Sequence, residues 1–380
     1  MEEPNTPEAI SVPPIARVGD AIAAVETPSL ILDLDTFEDN LRKMQAMVER
    51  YGVALRPHAK AHKCPEIALR QIALGAAGIC CQKVSEAVPF VAAGVRDIHI
   101  SNEIVGTGKL ALLARVAGKA RVTVCADHPR AVEALSAAMV ESAASVGVMV
   151  EADVGQKRCG VQTPEQAVAL ARLIQKLPGI TFAGLQAYHG TMQHTRSAGQ
   201  RQKSSVRVAR LVRTYLDAFS KAGIECPVVT GGGTGSAVFD VAGGVFTEIQ
   251  AGSYAFMDAH YASLEWGEEI SFGNSLYLLG TVMSTPTAER AVADVGLKST
   301  SAESGAPQPR GQVGWRCVGI SDEHSVLQAD QARDLPTLGA QVWLVPGHCD
   351  PTFNLHDSVV AVRGQHVEAI WPISARGLSR

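Results

Sequence analysis

RPHAKAHK (56–63) places Arg56, His58, Lys60, His62 and Lys63 within eight residues, a density of imidazole and amine that suits acid–base or carbonyl chemistry. Like charges disfavour an ammonium, so Lys60 in this company is expected to lose its proton readily, as a carbonyl-attacking lysine must. If the segment is extended, Lys60 shares a side with His58 and His62. A solvated basic patch is the competing reading. TGGGTGSAVFD (230–240) offers Gly232, Gly233 and Gly235, whose backbone N–H groups can close on a phosphate beside the hydroxyls of Thr234 and Ser236. It matches neither GxxxxGK[ST] nor a full GxGxxG, and a plain turn is its alternative. GSYAFMD (252–258) adds Ser253 and Tyr254 as further small donors. GHCDPTFNLHD (347–357) gathers His348, Cys349, Asp350, His356 and Asp357. In an extended segment His348 and Asp350 point to one side, so both can bind one divalent cation; Cys349 with another group would select a softer metal such as zinc. A hydrogen-bonded loop is the ordinary alternative. AYHGTMQH (187–194) brings Tyr188, His189 and His194, the last a candidate acid–base group or simply a loop histidine. Arg158, in VGQKRCG (154–160), could face a cofactor ring or solvent.

Elements able to position these groups alternate along the chain. SLILDLD (29–35) leads into an amphipathic helix with Asp35 and Thr36 as candidate caps. Eight more β-rich runs follow, at 53–59, 78–83, 97–102, 121–127, 146–153, 181–189, 227–232 and 246–252. Most are separated by helical patterns ending in glycines such as Gly75, Gly94 and Gly223. Strand and helix in alternation predict an α/β fold with a parallel sheet. Eight such strands after one extra leading strand fit a closed (β/α)8 barrel better than an open doubly wound sheet. His58 and Lys60, Gln82 and Lys83, Ser101 and Asn102, Asp153, and Tyr188 with His189 all end strands, where barrel enzymes keep their chemistry. A phosphate loop after the seventh strand suits pyridoxal phosphate. Beyond residue 265 the pattern changes to antiparallel-type strands, SLYLLGTVMS, ERAVADVGL, WRCVGIS, QVWLVPG and DSVVAVRGQHVEAIWP, with a polar loop at 301–312. The boundary is expected near 262–268, with the leading strand a candidate to pair into the second domain.

The 380 residues suffice for one barrel and a smaller domain. A 46% apolar, 5% aromatic composition with 35 glycines suits packed α/β layers joined by short turns. The net charge of −4, with both signs interspersed, argues against a nucleic-acid or anionic-membrane surface. Eight cysteines form no CxxC pair and mostly sit in apolar runs, as buried thiols of a reducing compartment would. No leader is apparent at the acidic start, and no run approaches the ~18–20 apolar residues of a membrane span. A soluble, cytoplasmic protein is expected.

RPHAKAHK, CCQKVSEA, DVGQKRCGV, AYHGTMQH, TGGGTGS, QAGSYAFMD, DEH and VPGHCDPTFNLHD together closely resemble the bacterial D-threonine aldolases. They also resemble the related 3-hydroxy-D-aspartate aldolases and, more distantly, eukaryotic-type D-serine dehydratases. The likeness begins near residue 27 and covers nearly all that follows. It implies the fold-type III architecture of alanine racemase: a barrel over 27–262, with 1–26 and 263–380 in a β-rich domain. It implies pyridoxal phosphate on Lys60, with Gln82, Arg158, Tyr188, Gly232, Gly233, Thr234, Gly235, Ser253 and Tyr254 around the cofactor. It further implies a divalent metal on His348 and Asp350 and a homodimer that completes its sites across the interface. The dehydratase branch carries His-x-Cys with zinc; here Asp350 supplies a hard oxygen that favours Mn²⁺ or Mg²⁺, with Cys349 pointing away. The implied reaction is retro-aldol cleavage of a D-β-hydroxy-α-amino acid to glycine and an aldehyde, with His194 or metal-bound water as base. Cleavage of 3-hydroxy-D-aspartate and β-elimination by a dehydratase are the alternatives. A racemase, a non-catalytic pyridoxal-phosphate carrier and a cofactor-free metal hydrolase are more distant ones.

Overall fold

The computed structural model describes residues 11–380 apart from 268, 269 and 312; the acidic start of the chain lies outside the described residues. Strand β1 (Ser29–Asp33) is followed by helix α1 (Leu34–Arg50). The helix buries Leu34, Phe37, Leu41, Met44 and Val48, a 3–4–3–4 spacing that lays one apolar stripe on the core. Its cap is Asp33, which accepts from Thr36 N at 3.1 Å, and not the expected Asp35 or Thr36. Leu34 is already helical, so the cap falls two residues earlier.

Eight parallel strands follow: β2 (Ala54–Leu55), β3 (Ile79–Cys81), β4 (Asp97–Glu103), β5 (Arg121–Ala126), β6 (Val146–Glu151), β7 (Ile180–Ala187), β8 (Val229–Gly231) and β9 (Glu248–Ile249). Their order is β2-β9-β8-β7-β6-β5-β4-β3, and a parallel bridge from His58 to Cys80 joins the two ends. Every strand expected for the barrel is present, several shorter than the apolar run that announced it. Between them run α2 (Pro65–Ala73), α3 (Val84–Ala92), α4 (Thr107–Ala117), α5 (Pro129–Glu141), α6 (Pro164–Lys176), α7 (Ala198–Lys221) and α8 (Ala237–Ala242). Proline at the first turn of α2, α5 and α6 sets their starting backbone without loss of a needed N–H.

The short α9 (Ala259–Ala262) leads to a mainly antiparallel sheet of β10 (Leu276–Thr287), β11 (Arg290–Ala293), β12 (Gln308–Pro309), β13 (Trp315–Ile320), β14 (Ser325–Ala329), β15 (Gln341–Val345), β16 (Ser358–Arg363) and β17 (His366–Pro372). Helix α10 (Cys349–Phe353) interrupts it after β15. The strand β1, within the stretch 27–262 expected for the barrel, lies in this second sheet, antiparallel to β10 and parallel to β16. Leu30 and Leu32 face the barrel-side core, whereas Ile31 packs with Ile22, Tyr277 and Val360 on the other face. Burial on both faces explains why this strand reads as an unbroken apolar run.

Candidate active site

After His58 the chain leaves the ladder, and Lys60 sits on a 3-10 turn, Ala59–Ala61. The expected two-residue alternation therefore fails. The His62 ring is buried between Phe90 and Phe256, with Nδ1 accepting from Cys64 N at 3.0 Å. Arg56 is held inside the barrel by Glu248 at 2.8 Å and Asp97 at 2.7 Å. Lys63 turns to Glu86 and Asn354. Of the five basic groups only His58 shares Lys60's cavity. His58 is held neutral, its pKa pushed well down by burial and then by the Lys60 cation.

That cavity has a volume of about 410 Å³ and opens at the C-terminal ends of the strands. Lys60, His58, Gln82, Arg158, Tyr188 and His194 line it, with Ser101, Gln156, Gln186 and Gln250. Gln82 Nε2 lies 3.1 Å from His58 Nε2 and donates to Ser101 Oγ at 3.3 Å. The Arg158 guanidinium lies 5.5 Å from the centre of the Tyr188 ring and 3.7 Å from the Glu151 carboxylate. Behind it, donor atoms of Glu103, Glu151 and Cys159 come within 4.8 Å of one another. Burial and the nearby Glu103 push the Glu151 carboxyl up, favouring its protonated form. A larger cavity, about 730 Å³ and lined by Arg96, Lys119 and Arg121, occupies the other end of the barrel and holds none of the expected site residues.

The second domain brings its own groups to Lys60. His348 is extended, but Cys349 already begins α10, so His348, Cys349 and Asp350 do not alternate as in a strand. Instead the helical turn folds His348 and Asp350 together, with Nε2 3.7 Å from Oδ1. Cys349 does not point away: its Sγ lies 3.3 Å from Asp350 Oδ1. Burial pushes that thiol well up, and its S–H donates to Asp350 Oδ1. Glu303 contacts His348 Nδ1, which leaves Nε2 as the nitrogen able to hold a cation. Lys60 Nζ and Asp350 are in direct contact. Burial alone would lower Lys60, but Asp350 and then Tyr188 hold it above its ordinary value. The readily deprotonated amine expected from basic crowding is therefore absent, because the crowd is dispersed and a carboxylate stands opposite. Burial alone would raise Asp350, yet Lys60 and His348 keep it well below the usual carboxylate range.

The glycine loop makes a tight cradle. Gly232 adopts φ +68°, and a Cβ on Gly235 would fall 2.6 Å from Gln193 O. A Cβ on Gly233 would meet Gln193 Oε1 at 2.7 Å, and that oxygen is buried without a partner among the described residues. Thr234 Oγ1 accepts from Tyr254 N at 3.0 Å. The Tyr254 ring, expected near the cofactor, lies in the core with its hydroxyl accepting from Gln71 at 3.1 Å. Ser253 Oγ reaches Asp350 Oδ1 at 3.4 Å and so stands on the carboxylate side of the site.

The model of the alanine racemase N-terminal domain matches residues 32–260, and that of a putative serine dehydratase domain matches 275–362. The chain is 56% identical to a D-threonine aldolase of Arthrobacter sp over 98% of both sequences. The chain belongs to the D-threonine aldolase family. This aldolase is also 41% identical to a 3-hydroxy-D-aspartate aldolase of Paracoccus denitrificans, over 93% of the chain and 92% of that protein. The crystal structure of D-threonine aldolase from Filomicrobium marinum superposes with a TM-score of 0.95 at 45% identity, covering 97% of this chain and 100% of that one.

Several groups around the aldolase's site had no local sequence signal. His260 lies on α9, its Nε2 2.9 Å from His194 Nδ1. Asp258 accepts from Cys349 N at 2.9 Å and so anchors the start of α10. The fully buried Arg201 donates to the carbonyls of Thr195, Arg196 and Glu265, tying the His194 loop to the crossover between domains. Glu303 lay in a stretch read only as a polar loop. His260, Asp258 and Glu303 act across a long sequence separation, as Arg201 does on Glu265. DEH (322–324) lies in the turn between β13 and β14.

Proposed function

We propose that this aldolase cleaves the Cα–Cβ bond of D-β-hydroxy-α-amino acids of the D-threonine type, releasing glycine and an aldehyde. One observation carries the reading: an amine from the barrel, Lys60, which lines the cavity, is in direct contact with a hard-oxygen group from the second domain, Asp350. The residues suit pyridoxal phosphate, with Lys60 to hold its aldehyde and the Gly232–Gly235 cradle, where an added Cβ would collide and backbone N–H groups can face an anion, to meet its phosphate. Arg158 and Tyr188 supply a cation and an aromatic face on the same wall. His348 Nε2 and Asp350 suit a divalent cation, and an imidazole with a carboxylate favours Mn²⁺ or Mg²⁺ over zinc–thiolate chemistry. When bound, the cofactor accepts the electron pair of the breaking bond and the cation lowers the pKa of the substrate hydroxyl.

The protein's own groups do the rest. His194 sits exposed on the cavity wall, and partial desolvation, then His260 and His348, lower its pKa and favour the neutral ring near pH 7. It is therefore ready to take the hydroxyl proton. Arg158 is a cation that gives up no proton, so it would hold a cofactor's ring nitrogen by donating a hydrogen bond and would not protonate it. A cytoplasmic homodimer is proposed on the family resemblance.

Product analysis tests the assignment. Incubation of holoenzyme with D-threonine, D-phenylserine and 3-hydroxy-D-aspartate should yield glycine and the matching aldehyde from at least one. Ammonia and a keto acid as the main products would assign the protein to β-elimination instead.

A further inference from the structure

The catalytic reading leaves unexplained a second lysine of RPHAKAHK. Lys63 is buried, and its φ of +53° is a left-handed backbone that a lysine keeps only where its surroundings hold it there. Its three N–H donors are all used. Glu86 Oε1 lies at 3.2 Å, Asn354 Oδ1 at 2.9 Å and Ser379 Oγ at 2.7 Å. Neutralising a buried ammonium requires only Glu86. The other two bonds reach 291 and 316 residues along the chain, to the second domain and the C-terminal segment.

Lys63 and two of its partners each lie within four residues of a group already placed in the site. Lys63 follows Lys60 by three residues, Glu86 follows Gln82 by four, and Asn354 follows Asp350 by four, at the end of α10. Glu86 also accepts from Gln82 N and Lys83 N, at 3.1 and 3.2 Å. Asn354 Oδ1 takes a second bond from Gly377 N at 3.1 Å, Ala375 N donates to Lys63 O at 3.0 Å, and Ser379 Oγ donates to Glu86 at 3.0 Å. The segment 375–380 thus closes a ring of hydrogen bonds around Lys63.

We propose that Lys63 is a positioning residue: through Asn354 and the C-terminal segment it sets the register of α10, and hence of His348 and Asp350, against the turn that carries Lys60. The inference rests on the assignment of His348 and Asp350 as metal ligands. Removing outer partners of a metal site typically weakens affinity about 10–100-fold, and Lys63 acts at that distance on this one.

The test is Mn²⁺ binding to pyridoxal-phosphate-loaded enzyme, by calorimetric titration, for Lys63→Met, Asn354→Ala and Asp350→Ala. Lys63→Met and Asn354→Ala should each weaken Mn²⁺ binding about tenfold or more, with cofactor content unchanged. A purely structural role would lower the melting temperature of Lys63→Met and leave its Mn²⁺ affinity, and that of Asn354→Ala, within twofold of wild type; that result overturns the proposal. If Lys63→Met fails to fold, Asn354→Ala alone decides, by the same criterion. Asp350→Ala separates the two levels of failure. Mn²⁺ lost in Asp350→Ala but kept in the other two overturns the role of Lys63 alone, whereas Mn²⁺ kept in all three removes the metal assignment and this inference with it.

Discussion

Lys60 and Asp350 touch, yet the structures behind them have little in common. Behind Lys60 stands a ladder of eight parallel strands, and neighbouring strand ends hold His58, Gln82 and Ser101 to one another. Behind Asp350 stands a five-residue helix with no ladder of its own. A helix that short is not self-supporting in water. Its start is pinned by Asp258 on Cys349 N, and by Thr352, which donates to His348 O at 2.7 Å and accepts from Ser301 N at 3.2 Å. The cofactor half of the site is thus fixed by a sheet and the metal half by a handful of side chains. The two halves should fail separately and differently.

The largest effect comes from Lys60→Ala, which should show no visible band that borohydride bleaches and no measurable cleavage. Metal binding should survive, because Asp350 loses a competing cation and no ligand. Chelation of the wild type is the mirror experiment, and should abolish cleavage while the visible band persists. A Lys60→Ala protein empty of metal would show the halves to be one unit and break the comparison.

Much of this arrangement could be read from the residues, and the unread parts share a cause. All eight barrel strands were legible because strands buried on both faces are continuous apolar runs. The strand β14 was not, since Ser325–Ala329 alternates polar and apolar residues between two short neighbours. Lys60, Arg158, Tyr188 and His194 were legible as polar groups just past strand ends. The side chosen by Cys349 was misread because alternation holds only in extended chain, and the chain turns helical at that residue. Tyr254 lies beside Thr234 in backbone alone. His260, Asp258 and Glu303 act on groups 45 to 91 residues away, and no local pattern encodes such meetings.

His194 belongs to neither half and lies on the barrel loop between them, so its loss should spare both bound groups. His194→Ala is expected to lower turnover about 10²–10⁴-fold with cofactor and metal content near wild type. The sign of the pH effect follows from the lowered pKa. The imidazole accepts a proton only when neutral, so wild-type turnover is full above the ordinary histidine value and falls as pH drops through the lowered one. The variant should lose that acidic limb. Turnover within about threefold of wild type, with the limb intact, would transfer the proton to another acceptor; loss of metal would make His194 a ligand.

The smallest effect should come from Tyr254, on the sheet-held side, and it asks whether that half truly tolerates local damage. The Tyr254 hydroxyl is buried and accepts from Gln71 Nε2. Tyr254→Phe therefore strips that buried amide N–H of its partner. A buried polar group stripped of its partner costs about 1–3 kcal/mol, so the midpoint of denaturant unfolding should fall by a matching amount. Nothing at the cradle should change, because the bond that holds Thr234 comes from the Tyr254 backbone N–H, which phenylalanine keeps. Cofactor affinity and cleavage rate should stay within about twofold of wild type, since no group touching the cavity moves. A variant of unaltered stability that released its cofactor would place the phenol in the site after all, and would show that the barrel half depends on single side chains as much as α10 does.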